Sequence, residues 1–203
     1  MGLREDKAAQ TRELMIATAL ELFLDQGYDT TTMGEIAERA HVGESTLYRY
    51  FPTKDLLVLE PLAVRGHLSV ELTSRPPDEP LDLSLGHALR AVIVAPRAEA
   101  DRLRRITTVL EGSLALQGRL TEQLAEERRL LERALAERLG RPVGDPYCVF
   151  TARVATTVLE IISERVAERA DEFVDQPASV LQLARDVMDE LRLHPPALPR
   201  LGA

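Results

Sequence analysis

The sequence predicts an all-α protein, and three observations carry the prediction. Apolar residues recur at three- and four-residue spacing along most of the chain. No stretch alternates apolar and polar residues for long enough to make a strand. Prolines 52, 76, 77, 80, 96, 142, 146 and 177 fall between the periodic segments and punctuate them. With 203 residues, 45% of them hydrophobic, the chain can bury a real core, and a change of texture near residue 60 points to a small part followed by a larger one.

The elements follow in order. A first helix is predicted from about Gln10 to Gln26, because Ile16, Ala19, Leu20 and Phe23 form one stripe, with Gly27 as a left-handed C-cap. Thr31 or Thr32 caps a second helix, MGEIAERA, and Glu35 stands three residues beyond Thr32 as the returning half of a capping box. A third helix starts after HVG and carries STLYRYF; Pro52 ends it, and a fourth opens at Lys54. Helices two and three are too short to be stable alone, so they must pack on the first as a helix-turn-helix, with Ile36, Ala37, Ala40, Val42, Leu47 and Phe51 facing inward.

Beyond the turn-rich SRPPDEP, helices are predicted in LDLSLGHALRAVIVA, in AEADRLRRITTVLEGS and from about Leu114 to Leu139, the last stopped by Gly140 and Pro142. A helix over about 146–169 is apolar on more than one side, which implies one face on its own core and another against a second subunit. The last helix, about 178–193, has Val180, Leu183, Val187 and Leu191 on a stripe that could share that contact. Residues 194–203 read as a flexible tail.

Composition limits function. No apolar run is long enough to span a membrane, and the polar N-terminus does not suit a secretory signal, so a cytoplasmic location and no membrane partner are expected. Cys148, alone in YCVF, reads as a buried thiol. The net charge is −8, and residues 1–60 hold six Lys/Arg against eleven Asp/Glu. Bulk charge therefore argues against nucleic acid, whose nonspecific affinity comes mainly from cations.

Local chemistry argues the other way. Five of the eight aromatic residues fall within residues 23–51, and HVGESTLYRYFPTK concentrates hydroxyls, rings and cations on one short helix. The second helix of a helix-turn-helix enters the major groove. Ser45, Thr46, Tyr48 and Tyr50 can donate to phosphates, Arg49 can bond a guanine edge or a phosphate, and Lys54 sits where a helix N-terminus already favours an anion. Glu44 either accepts from a cytosine amino group or serves the helix dipole.

Residues 12–57 resemble the DNA-binding domain of the tetracycline-repressor (TetR) family. ALELFLDQGYDTTT followed by MGEIAERAHVGESTLYRYFPTKDLL fits A-x-x-L-F-x-x-x-G-Y, then T-T, then I-A-x-x-A, then T-L-Y-x-x-F-x-x-K-x-x-L. The resemblance implies that Thr32 caps and contacts phosphate, that Tyr48 and Tyr50 are aromatic phosphate contacts, that Lys54 binds phosphate, and that Gly43, Glu44, Ser45 and Arg49 stand at base-reading positions. Two positions depart from the pattern. His41 replaces a turn glycine, a site that needs positive φ, and Gly43 replaces a capping serine.

Beyond residue 60 the resemblance is one of architecture, and RLTEQLAEERRLLERALAERLGRPVGDPYCVF is similar to C-terminal domains of actinobacterial members. It implies residues 1–56 as the DNA-binding domain and 57–193 as a bundle that binds a small molecule and forms a homodimer. His87, Arg90, Gln117, Phe150 and Arg153 are the candidate ligand residues; Val158, Leu159, Ile162, Val166, Val180, Leu183 and Val187 are the candidate dimer residues. The implied function is a regulator, by family default a repressor, that binds a near-palindromic double-stranded operator and is released by a small hydrophobic effector. No cofactor is expected. The rivals are an enzyme, for which the chain has no metal-spaced cluster, G-x-S-x-G turn or glycine-rich phosphate loop, and a helical dimeric interaction module without operator binding, which the acidic N-terminal region favours.

Overall fold

The computed structural model describes residues 3–62, 66–94, 100–168 and 177–195. Every regular element among them is helical: α1 (Leu3–Gln26), α2 (Met33–Arg39), α3 (Glu44–Tyr50), α4 (Leu56–Leu59, continued by a 3₁₀ turn at Glu60–Leu62), α5 (His67–Ser74), α6 (Leu81–Val94), α7 (Ala100–Glu111), α8 (Leu114–Leu139), α9 (Pro146–Glu168) and α10 (Pro177–Leu193). The predicted all-α class is what is found. Alpha1 begins earlier than its apolar stripe suggested, α4 begins two residues after Lys54, and α5 is an element that periodicity did not separate. The predicted tail lies mostly outside the described residues.

The chain divides into two compact units, residues 1–67 with 97–127, and residues 68–96 with 128–203. The core of the first is Met15, Ile16, Leu20 and Phe23 of α1, Ile36 and Ala37 of α2, Leu47 of α3, Phe51, and Leu57, Val58 and Leu59 of α4, joined by Ile106 and Val109 of α7 and Leu116 of α8. The core of the second is built from Leu68 and Leu72 of α5, Ala88, Leu89 and Ile93 of α6, Leu131 and Leu135 of α8, and the inward residues of α9 and α10.

Local chemistry sets the boundaries. Gly27 at φ 90° ends α1. Phe51 is extended (φ −133°) because a residue before proline is driven out of the helical region, and α3 stops there. Alpha8 ends in a Schellman pair, Arg141 N–H to Ala136 O at 2.9 Å and Gly140 N–H to Glu137 O at 3.2 Å, with Gly140 at φ 61°. The Asp145 carboxylate accepts from Tyr147 N–H at 2.9 Å, and Pro146 takes the first position of α9, where a missing N–H costs nothing.

One polar knot organises the second unit. Arg138 of α8 donates to the carbonyls of Arg75, Pro76 and Glu79 and to the Ser84 hydroxyl, so the α5–α6 connection is tied to the end of α8. Arg75 and Ser84 both donate to the Glu79 carboxylate, which holds its pKa down at about 2.

Candidate nucleic-acid interface

The helix-turn-helix is assembled from its caps. Thr32 is the N-cap of α2: its hydroxyl accepts from Glu35 N–H at 3.2 Å, while the Glu35 carboxylate accepts from Thr32 N–H at 2.7 Å. Both halves of the box are present, worth about 1 kcal/mol. These bonds from Thr32 hold the Glu35 carboxyl below its usual range. Thr31, the other capping candidate, is buried and donates instead to Gly27 O at 2.7 Å.

Between α2 and α3 the chain turns at His41, whose φ of 53° is the positive angle expected of that site. Gly43 is the N-cap of α3 and supplies no side-chain bond, as its identity requires. A methyl group there would meet only Thr46 Oγ1 at 3.7 Å and Ser45 Oγ at 3.9 Å, which is ordinary contact.

Leu47 and Phe51 are fully buried, which fixes the rotation of α3 and turns Glu44, Ser45, Tyr48 and Arg49 to solvent. Tyr48 is the large apolar residue that α3 leaves exposed, at 46%. Thr46 is half-buried. Tyr50 packs partly on the core, and the Arg49 guanidinium lies 5.6 Å over its ring. Arg12 of α1 stacks 4.5 Å over the Phe51 ring and pairs with Glu60, so the base of α3 is pinned to both α1 and the end of α4.

Lys54 departs from expectation. Its ammonium is not presented at a helix N-terminus; it donates to the carbonyls of Tyr28 at 2.6 Å and Thr31 at 2.8 Å, with a looser contact to Asp29 O at 3.5 Å. It also lies 4.3 Å from the Tyr28 ring centroid. Burial lowers the lysine pKa, against the pull of Asp29 and Glu35. Burial also lifts the Tyr28 phenol to about 12, with Asp55 and Asp29 adding to the rise.

In the second unit, α6, α9 and α10 enclose an open, mainly apolar cavity of about 410 Å³, floored by residues such as Leu85, Leu89, Val158, Ile162, Leu181 and Met188. Arg90, Arg185, Arg192, Asp82 and Asp189 line it too. Of the five ligand candidates, only Arg90 lines this cavity. His87 stands 3.9 Å from the Glu79 carboxylate. Gln117 belongs to the other unit, where its amide donates to Leu110 O at 3.0 Å at the end of α7. Phe150 and Arg153 are exposed on α9.

The seven dimer candidates are corrected. Val158, Leu159, Ile162, Val166, Val180, Leu183 and Val187 are all buried in the second unit's own core, and two of them reach the cavity. Among the described residues, the large apolar ones that α9 leaves exposed are Tyr147, Phe150 and Val154, spaced i, i+3, i+7 along one face, with Val154 also lining the cavity. Sequence reasoning named Phe150 only as a ligand candidate and did not single out Tyr147 or Val154, because a helix apolar on several sides does not reveal which side its own core takes.

Among the described residues, no group of His, Cys, Asp or Glu is placed to hold a metal, and no helix is long and apolar enough to cross a membrane. Cys148 is buried, and burial raises its pKa.

Residues 15–60 match the family of bacterial regulatory proteins, tetR family, and residues 79–191 match the MftR C-terminal domain. The HTH-type transcriptional regulator TcmR of Streptomyces glaucescens is 30% identical over 195 residues, covering 91% of this chain and 85% of that protein. The uncharacterized HTH-type regulator Rv2250c of Mycobacterium tuberculosis is 30% identical over 190 residues, 90% of this chain and 95% of its own length. Among solved structures, SmeT in its triclosan complex aligns over 94% of this chain and 100% of its own, at 23% identity with a TM-score of 0.53. FadR of Thermus thermophilus, in complex with lauroyl-CoA, has the same coverage and identity with a TM-score of 0.52. At that identity the two structures bear on the fold alone.

Proposed function

The chain belongs to the tetR family of bacterial regulatory proteins and is a transcriptional regulator, and from that premise we propose that it acts as an effector-released repressor, binding a near-palindromic operator as a homodimer. The observation that carries the operator reading is the presentation of α3. Its apolar side is locked on the core by Leu47 and Phe51, and its outer side offers Ser45, Tyr48 and Arg49. In this reading Glu44, Ser45 and Arg49 face base edges, Gly43 lets the backbone approach, and Thr32, Thr46, Tyr48 and Tyr50 donate to phosphates. Residues 1–56 are the DNA-binding domain and 57–193 the effector and dimer part, within which residues 97–127 pack with the head. Two copies of α3 enter successive major grooves, about 34–36 Å apart.

The exposed α9 face of Tyr147 and Phe150 is the surface we assign to the second copy, while Val154, next along it, borders the cavity. The cavity between α6, α9 and α10 is the effector site, its apolar floor suited to a hydrophobic molecule and its size within the range of small-molecule pockets. The molecules bound in structures of similar fold differ: SmeT was solved with triclosan and Thermus thermophilus FadR with lauroyl-CoA. An effector that binds the released form about a hundredfold better than the operator-bound form supplies about 2.7 kcal/mol of coupling, enough to empty a site held near its midpoint.

Selection of genomic fragments with the purified protein, repeated across salt concentrations, tests the reading. Enrichment of a palindromic motif supports a repressor-type regulator. No motif above background at moderate salt sinks it, and the acidic balance of residues 1–60 would then favour a dimeric interaction module.

A further inference from the structure

The turn between α1 and α2 is held by two side chains from outside it. Lys54 grips the carbonyls of Tyr28 and Thr31 and stacks on the Tyr28 ring. Ser113, the buried N-cap of α8, donates its hydroxyl to the Asp29 carboxylate at 3.0 Å. Of the three N–H groups of the ammonium, two are taken by the carbonyls of Tyr28 and Thr31, and the Asp29 carbonyl stands at 3.5 Å as a looser contact.

We propose that Lys54 is a positioning residue of the operator interface and donates to no phosphate: it fixes the α1–α2 turn, and through the Thr32 cap the seat of α2, on which α3 is presented. This rests on the operator-binding reading above. To reach a phosphate the ammonium would have to abandon charge-assisted bonds to two carbonyls and its place against the ring, leaving the carbonyl of buried Thr31 without this donor. The depressed pKa fits an ammonium withdrawn from water. The Ser113 bond adds a second tether, so the turn that seats α2 is also latched to the α7–α8 corner.

Salt dependence separates the two roles. Each phosphate that a variant no longer neutralises makes log K against log[salt] shallower by about 0.9, or by about 1.8 for a dimer with one such phosphate at each half-site. The probe is the duplex that the wild-type protein enriches from genomic fragments, titrated at several salt concentrations against Lys54→Met and Lys54→Gln. Positioning predicts that Lys54→Met binds about tenfold more weakly, the scale of one charge-assisted bond, with the wild-type slope. Glutamine, neutral but still an N–H donor, then recovers part of the loss. A slope shallower by about 1.8 in both variants overturns the proposal, and so does undiminished affinity in both. Should Lys54→Met fail to fold, the slope of Lys54→Gln decides. If the wild-type protein enriches no motif, the operator reading fails and this one with it, a result distinct from a change of slope between variants.

Discussion

His41 carries a backbone angle that most side chains avoid, φ 53° in the turn between α2 and α3. Replacement by glycine removes that cost and adds some entropy to the unfolded chain. The net expectation is a gain of about 0.5–1 kcal/mol for His41→Gly, read as a higher urea midpoint. Gly43→Ser is expected to add a few tenths of a kcal/mol, since the helix lacks a side-chain cap and the space for one is open. A fall in stability for either would mean that the turn is set by contacts other than its dihedrals. These residues were legible beforehand because their roles are local: a cap acts on the three residues after it, and a positive φ on one. Lys54 was not legible, because its acceptors lie 23 to 26 positions upstream and no spacing rule reaches them.

Helix boundaries were likewise readable from glycines and prolines, since Gly27, Pro52, Gly140 and Pro146 each act within a turn of where they stand. The rivet formed by Arg138 was not, because it joins the last turn of α8 to a loop some sixty residues earlier. Glu79 in that knot makes a pH prediction. Its folded pKa, about 2, lies below the ordinary 4.5, so its contribution is fully present above about pH 4.5 and fades as the pH falls toward 2. Glu79→Gln should therefore flatten the loss of thermal midpoint between about pH 5 and pH 3, while Arg138→Ala lowers the midpoint at all pH values by removing bonds worth about 1.5–3 kcal/mol. An unaltered acid slope in Glu79→Gln would assign the acid sensitivity to other carboxylates.

At the scale of the whole molecule, α9 serves the fold and, in the proposed dimer, the assembly as well. Phe150→Glu is expected to raise the dimer dissociation constant at least about tenfold, by sedimentation, with the unfolding of the separated chain little changed. Leu159→Glu buries an unpaired carboxylate and should prevent folding outright. If Phe150→Glu remains a tight dimer, the copy-to-copy surface lies elsewhere. The sequence showed that this helix was apolar on several sides, but only the packing of α6, α8 and α10 reveals which sides are taken. The return of residues 97–127 to the first unit has a consequence for synthesis and for truncation. Every proposed DNA-contacting residue has left the ribosome long before Ile106, Val109 and Leu116 arrive to complete the core beneath Leu57, Val58 and Leu59. The reading head is thus finished late, and a fragment cut at residue 62 would keep all of its recognition chemistry yet lack part of the core that holds that chemistry in place.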